Sequence, residues 1–422
     1  MKKIYIIITT LTIIFSFNLA VAGEKVKLNN NSAVITNNIP ESDVIALTVF
    51  LKGGLFAETK KNNGIGTLFS DVWLKSSDLM NKVEFYGGNI DAGVSNDFFE
   101  FEISMLKEDF TKILPHLKKL FNDPDLNSDI FAREKGLLIK EIISLEDHPN
   151  RVAMQKFGEV TYGNFPYGLS TLGDKDAVES LTLDDLKAYY RNNFAGGNAV
   201  VSLAGNYTEV VKSKVTNIFN NLPEKPNNKI DCTGSGISKE IYKEETYPRI
   251  KQSKLYTAYE APGASSDDYL ATKVLSEIMG GGMSSYYFNI LRQEKGYAYA
   301  VGAFYPSRIC SSRFVSFIGL DYSNVKNAID DIKDINKNAT KMISDDDVEK
   351  AKNYMLGRIL TESQSTQKRS WYAAFFENLG LGYDYFDQYI ENLKKVSLKD
   401  VKKASENLFN KPTTTFVLKP EE

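Results

Sequence analysis

The sequence predicts an α+β protein built from two tandem homologous domains, each a mostly antiparallel sheet with helices packed on it. Three observations carry this. The segment "SLTLDDLKAYYRNNFAGGNAVVSLAG" (180–205) returns in altered form as "KVSLKDVKKASENLFNKPTTTFVLKP" (395–420). Each half alternates hairpin-type strands with separate long helices, the pattern of helices laid on an antiparallel sheet. Between the halves, "NLPEKPNNKIDCTGSGISKEIYKEE" (221–245) is rich in Pro, Gly, Asn and charge and reads as an exposed linker.

The chain of 422 residues opens with "MKKIYIIITTLTIIFSFNLAVAG". Lys2 and Lys3 precede an apolar run from Ile4 to Phe17, and Ala20-Val21-Ala22 supplies a small-x-small cleavage signal before Gly23. This is the pattern of a secretory signal peptide over residues 1–22, and the run is short for a spanning helix. The expectation is an exported, periplasmic chain with no membrane anchor after cleavage. The remaining 400 residues suit two domains of 23–220 and 246–422 around the 221–245 linker. The formal net charge of −3 becomes −5 once the two lysines of the leader are gone. That balance gives no basic footprint for nucleic acid.

In the first half, "DVIALTVFLKGG" (43–54) and "NDFFEFEISML" (96–106) read as strands and "DFTKILPHLKKLFNDP" (109–124) as a helix. In the second half, "KLYTAYEAPG" (254–263) and "FVSFIGLDYS" (314–323) read as strands and "DYLATKVLSEIMGG" (268–281) as a helix. Each copy of the repeat begins with a capping signal, Thr182-x-x-Asp185 and Ser397-x-x-Asp400, then runs through a short helix and a Phe into a strand. "ILRQEKGYAYAVGAF" (290–304) reads as a helix end at Arg292, Glu294 and Lys295, a left-handed Gly296, and a strand through Tyr299. The corner is either ordinary framework or a site built on Arg292 and Tyr299. Gly280-Gly281-Gly282 reads as a tight helix break, since no Lys-Ser/Thr follows to make a phosphate loop.

Cys232 and Cys310 sit in turn-rich stretches without a CxxC motif. They are either a disulfide, which export would permit, or two free thiols. The two histidines, His116 and His148, form no HExxH or HxxEH, and no GxSxG is present. Glu134 and Glu141 lie two helical turns apart on one face, a spacing common to surface helices and to metal sites alike. His148 falls seven residues beyond Glu141 and shares that ambiguity.

Taken together, five blocks in order resemble the pitrilysin/insulinase family of zinc peptidases, in its bacterial branch related to mitochondrial processing peptidase. They are residues 51–77, 84–110, 133–142, 166–194 and 277–304, the last being the most specific. The resemblance places the family's inverted zinc motif, HxxEH, on Thr67, Ser70 and Asp71, so both histidines and the water-activating glutamate are missing. Glu141 falls on the third-ligand slot and Glu134 on a supporting acid. A catalytic zinc takes about three protein ligands and an open water position. The resemblance therefore implies no metal in this chain. Arg292 and Tyr299 match the family's arginine–tyrosine pair, whose donors would face a developing oxyanion. No glycine-rich insertion follows Gly282, which sets the chain apart from the mitochondrial non-catalytic subunit. The resemblance implies a non-zinc subunit of a heterodimeric metallopeptidase. Its partner would be an HxxEH-bearing chain holding the zinc, and unfolded peptides would be the substrate. The alternative is a catalytically inactive peptidase-like scaffold or peptide-binding protein. A self-sufficient hydrolase using Asp71, Glu134, Glu141 or His148 around another metal is the third reading.

Overall fold

The computed structural model describes residues 23–225 and 228–421. The expected signal peptide, 1–22, lies outside the described residues. The first half holds strands β1 (Glu24–Lys27), β2 (Ala33–Asn38), β3 (Val44–Lys52), β4 (Asn89–Val94), β5 (Phe98–Leu106) and β6 (Ala199–Gly205). Its helices are α1 (Ile65–Lys75), α2 (Asp78–Phe85), α3 (Lys107–Asn122), α4 (Ser128–Ser144), α5 (Pro149–Tyr162), α6 (Lys175–Ser180), α7 (Leu183–Asn193) and α8 (Glu209–Asn220). The second half holds β7 (Ile241–Thr246), β8 (Ser253–Ala261), β9 (Ala298–Phe304), β10 (Ser312–Leu320) and β11 (Thr413–Lys419). Its helices are α9 (Tyr269–Gly280), α10 (Val325–Met342), α11 (Asp345–Glu362), α12 (Thr366–Asn378), α13 (Tyr385–Lys395) and α14 (Leu398–Phe409).

The strands form two sheets, ordered β1-β2-β6-β3-β5-β4 and β7-β11-β8-β10-β9. Leaving β1 aside, the two orders are the same. The matched strands β6 and β11 follow the matched helices α7 and α14, and both helices carry the capping box read from the sequence, at Thr182/Asp185 and Ser397/Asp400. The sheets are mixed rather than purely antiparallel. In each, the first long strand of the unit pairs parallel with its last, β2 with β6 and β7 with β11. A parallel pair needs a long crossover, and here the body of the unit supplies it. The 221–245 stretch, read as linker, runs into β7 at its end.

Both faces of each sheet are covered, which explains why β3 is buried almost throughout. On the first sheet, Ile45, Leu47, Val49 and Leu51 of β3 and Phe99, Phe101 and Ile103 of β5 pack with helices of their own half. The opposite face meets α12, which belongs to the second half. Phe98 lies edge-on to Phe375, Ser370 donates to the Ser202 carbonyl at 2.9 Å, and the Trp371 indole donates to Glu100 at 2.5 Å. The exchange is mutual. On the second sheet, Tyr256, Ala258, Val315, Phe416 and Leu418 cover Ala153 and Phe157 of α5 from the first half. Phe157 stacks on Tyr256 with ring centroids 5.1 Å apart. Each half thus closes the other's sheet. Cys232 and Cys310 are disulfide-bonded, with Cα atoms 5.2 Å apart, which decides between the two readings the sequence left open. Among the described residues no helix is long and apolar enough to cross a membrane.

Candidate functional site

The residues in the expected zinc-motif slots lie on α1, which starts at Gly64 with φ of 100°. Its first turn is held by Glu58, whose carboxylate accepts from the Gly64 amide at 2.8 Å, the Gly66 amide at 3.1 Å and the Asn63 side chain at 2.8 Å. A carboxylate at a helix N-terminus meets orphan N–H groups and the positive end of the dipole. Burial nevertheless pushes Glu58 up to about 7, against those bonds. A Cβ at position 66 would fall 2.8 Å from Glu58 Oε1, so the cap requires Gly66. Sequence reasoning missed Glu58. The glycines at 64 and 66, opening a helix after an acid, were the signal available.

Along α1, Thr67 is half-buried and its hydroxyl donates to the Thr171 carbonyl at 2.6 Å. Ser70 is buried and donates to the Thr67 carbonyl at 2.8 Å. Asp71 accepts from Lys75, one turn further, at 2.8 Å. The same Lys75 ammonium reaches across to Glu134 Oε2 on α4, also at 2.8 Å. Glu134 is only 3% exposed, and its other oxygen takes Arg133 at 2.8 Å. Burial would raise its pKa, but the bonds from Lys75 and Arg133 outweigh burial and hold it below the ordinary carboxylate value. Burial likewise opposes the charge on Lys75, and its two carboxylates more than restore it.

The structure therefore brings Asp71 and Glu134 together through a lysine. It does not bring in Glu141, which is exposed two turns along α4. His148 is exposed before α5, and His116 lies 3.5 Å from Asp78 instead. Among the described residues no group of three or more His, Cys, Asp and Glu side chains is placed to hold a metal ion. The donor set agrees with that. Two hydroxyls turned to backbone carbonyls and two carboxylates already sharing an ammonium do not suit a zinc ion, which is held by about three nitrogen, sulfur or carboxylate donors. Zinc does not fit this slot.

Arg292 and Tyr299 lie elsewhere, at the edge of the second sheet. Arg292 is exposed on a π-helical turn, Phe288–Glu294, with its guanidinium 5.1 Å from the Phe288 ring centroid. Gly296 turns the chain at φ of 69°, as its left-handed reading required. Behind it α9 ends at Gly280, where a Cβ would come within 2.0 Å of the Ala303 amide nitrogen, so the helix break is a close approach to β9. Ala298 faces Leu320 and Ala300 faces Gly319 across the β9–β10 ladder, so Tyr299 is the extra residue of a β-bulge. Bulges commonly re-aim a side chain beside a site. Tyr299 is 59% exposed. Among the described residues neither Arg292 nor Tyr299 makes a side-chain hydrogen bond or ion pair, so both present unused donors.

Two α+β units with the same strand order, each closing the other's sheet, define a protein of repeated two-domain fold. The chain belongs to the M16 (insulinase) peptidase family. Residues 33–175 match the family's insulinase model, and residues 180–355 match its model of the peptidase M16 inactive domain. It is 22% identical over 411 residues to an uncharacterized zinc protease of Rickettsia felis, covering 94% of this chain and 97% of that one. It is 23% identical over 370 residues to a protein of Helicobacter pylori named non-peptidase homolog YmxG, covering 83% of each. The fold matches the crystal structure of a peptidase M16 inactive domain from Pseudomonas fluorescens, with a TM-score of 0.85, 18% identity, and 94% of this chain and 98% of that chain covered.

Proposed function

We propose that this chain is the non-zinc subunit of an exported heterodimeric metallopeptidase, presenting Arg292 and Tyr299 to the zinc site of an HxxEH-bearing partner. The observation that carries the reading is the pairing of two opposite features. The slot on α1 is occupied by the Lys75 bridge and does not fit zinc, while Arg292 and Tyr299 stand exposed and, among the described residues, make no side-chain hydrogen bond or ion pair. A guanidinium and a phenol aimed at a tetrahedral oxyanion gain strength as charge develops. The edge position of β9 adds support, because an unpaired strand edge can take an extended peptide by backbone hydrogen bonds. The Cys232–Cys310 disulfide suits an oxidising compartment and so favours the export expected from residues 1–22.

A second reading is a catalytically inactive scaffold that holds peptides. The match of 180–355 to an inactive-domain model and the name of the Helicobacter relative favour it. Native mass spectrometry of the tagged mature chain, isolated from its own host, separates the two. A heterodimer of two similar-sized chains with one zinc supports the subunit reading. A metal-free monomer or homodimer overturns it in favour of the scaffold.

A further inference from the structure

A cavity of about 420 Å³ opens between the two halves, walled by α5 and the 167–172 loop on one side and by β10 and the end of β9 on the other. Three arginines line it, Arg151, Arg308 and Arg313, and no Asp or Glu does. That is a local excess of positive charge in a chain whose formal net charge is −3. Much of the remaining wall is apolar, including Met154, Leu169 and Phe304.

Arg313 is a built feature rather than a surface side chain, being 2% exposed. Its Nε donates to the Thr161 hydroxyl at 2.9 Å, one terminal nitrogen to the Thr161 carbonyl at 2.9 Å and the other to the Ser312 carbonyl at 3.0 Å. Its face lies 3.9 Å from the centroid of the Tyr162 ring. A guanidinium carries five N–H donors, so two remain. No carboxylate lies within ion-pairing distance of it among the described residues. Its cross-strand neighbour Glu260 instead accepts from the Ile237 amide at 2.9 Å and lies 3.8 Å from Lys411. Arg308 is placed over the Tyr167 ring at 5.4 Å. The buried Asp97 carboxylate feels the charge of Arg308, but its own hydrogen bonds go to the Tyr167 hydroxyl and the Ile309 amide, so Arg308 keeps its donors. Buried charges are ordinarily paired. Here positive charge is stored against aromatic faces and carbonyls, with donors left over and an apolar wall alongside.

We propose that this cavity binds a carboxylate carried on an apolar body, with the guanidinium of Arg308 gripping both oxygens of the carboxylate and the two remaining donors of Arg313 supporting it. Such bidentate pairs are the strong form of carboxylate recognition. The volume lies within the range of small-ligand sites. The carboxylate has two possible sources, the C-terminus of a peptide ending in an apolar residue or a free apolar acid. The inference does not depend on the metallopeptidase reading, since the cavity lies wholly within this chain.

The test is calorimetric titration of the full mature chain with a leucine-terminated pentapeptide, its C-terminal amide, and octanoate. The free-acid peptide or octanoate is expected to bind, and the amide at least tenfold more weakly than the free acid. Binding by the peptide alone assigns the site to peptide C-termini, and tighter binding of octanoate assigns it to free acids. Arg308→Gln should weaken binding at least tenfold without changing the melting temperature. Arg313→Gln should do the same, and if that variant fails to fold, Arg151→Gln with Arg308→Gln takes its place. Equal binding of acid and amide, no binding of either acid at millimolar concentration, or unchanged affinity in Arg308→Gln overturns the proposal.

Discussion

The ammonium of Lys75 lies 2.8 Å from the buried carboxylate of Glu134 and ties α1 to α4. Asp71 shares the same ammonium. A positive charge thus sits among the side chains that the family resemblance would assign to a metal centre, and it is supplied by the chain itself. This explains how α4 keeps a buried acid without a cation from solution.

Replacing Lys75 with methionine should therefore destabilise the fold. Glu134 keeps Arg133 but loses one of its two charged partners, and Asp71 loses its only ion pair among the described residues. Leaving a buried carboxylate half-satisfied costs on the order of 2 kcal/mol. Urea unfolding should show the loss as a lower midpoint at unchanged slope. The wild-type chain dialysed against a strong chelator should keep its midpoint, because the Lys75 ammonium supplies the positive charge between Asp71 and Glu134. A chelator-induced fall would contradict the occupancy of the slot by Lys75.

The contact between the halves should weaken as pH rises. Glu100 on β5 lies under α12, and its carboxyl is pushed up to about 7, mainly by burial and then by the charge of Glu102. In the unfolded chain an ordinary glutamate titrates near 4.5. Between those values the folded state binds more protons than the unfolded one, so stability falls as pH rises from 4.5 to about 7. Below 4.5 and above 7 this group adds no slope. Glu58 carries the same sign over the same window. Glu100→Gln, which keeps an acceptor for the Trp371 indole, should flatten the profile of melting temperature against pH while leaving the Glu58 share. An unchanged profile would show that Glu100 titrates normally.

Reduction should separate the linker from the second half. The Cys232–Cys310 bond closes a loop of 78 residues. The chain-entropy account assigns such a loop roughly 4–5 kcal/mol, an amount that native strain and residual unfolded structure commonly reduce. The double variant Cys232→Ser/Cys310→Ser should melt several degrees lower than the oxidised protein and at the same temperature with or without reductant. Equal melting of wild type and double variant under oxidising conditions would count against a stabilising role.

Much of this architecture was legible in the residues. The capping boxes at Thr182 and Ser397 mark equivalent helices, and the strands around Val49 and Phe317 fall in segments that read as strands. Gly296 turns the chain as its position past a helix required. What was not legible depends on long-range pairing. The parallel ladders β2–β6 and β7–β11 join segments far apart in sequence. The exchange of α5 and α12 leaves no local signal, since an amphipathic helix does not name the sheet it covers. The disulfide depends on a Cα separation of 5.2 Å that no spacing encodes. At α1, the resemblance put metal-motif slots on Thr67, Ser70 and Asp71, but the capture of Asp71 and Glu134 by Lys75 required the distance between α1 and α4.

Arg292 and Tyr299 should matter for turnover and little for folding. Both are exposed, and neither spends a side-chain hydrogen bond or ion pair on the fold among the described residues. Arg292→Ala and Tyr299→Phe should each leave stability within about 0.5 kcal/mol of wild type, the usual range for surface changes. In a complex with a zinc-bearing partner, loss of one oxyanion donor lowers turnover about 100-fold or more. Each variant should therefore co-purify with the partner at wild-type stoichiometry while peptide cleavage falls by that order and KM changes less than kcat. The phenylalanine variant keeps the ring and removes only the hydroxyl, so it separates an electrostatic role from packing at the bulge. Full activity in both variants would remove them from the reaction and leave β9 as a peptide-holding edge.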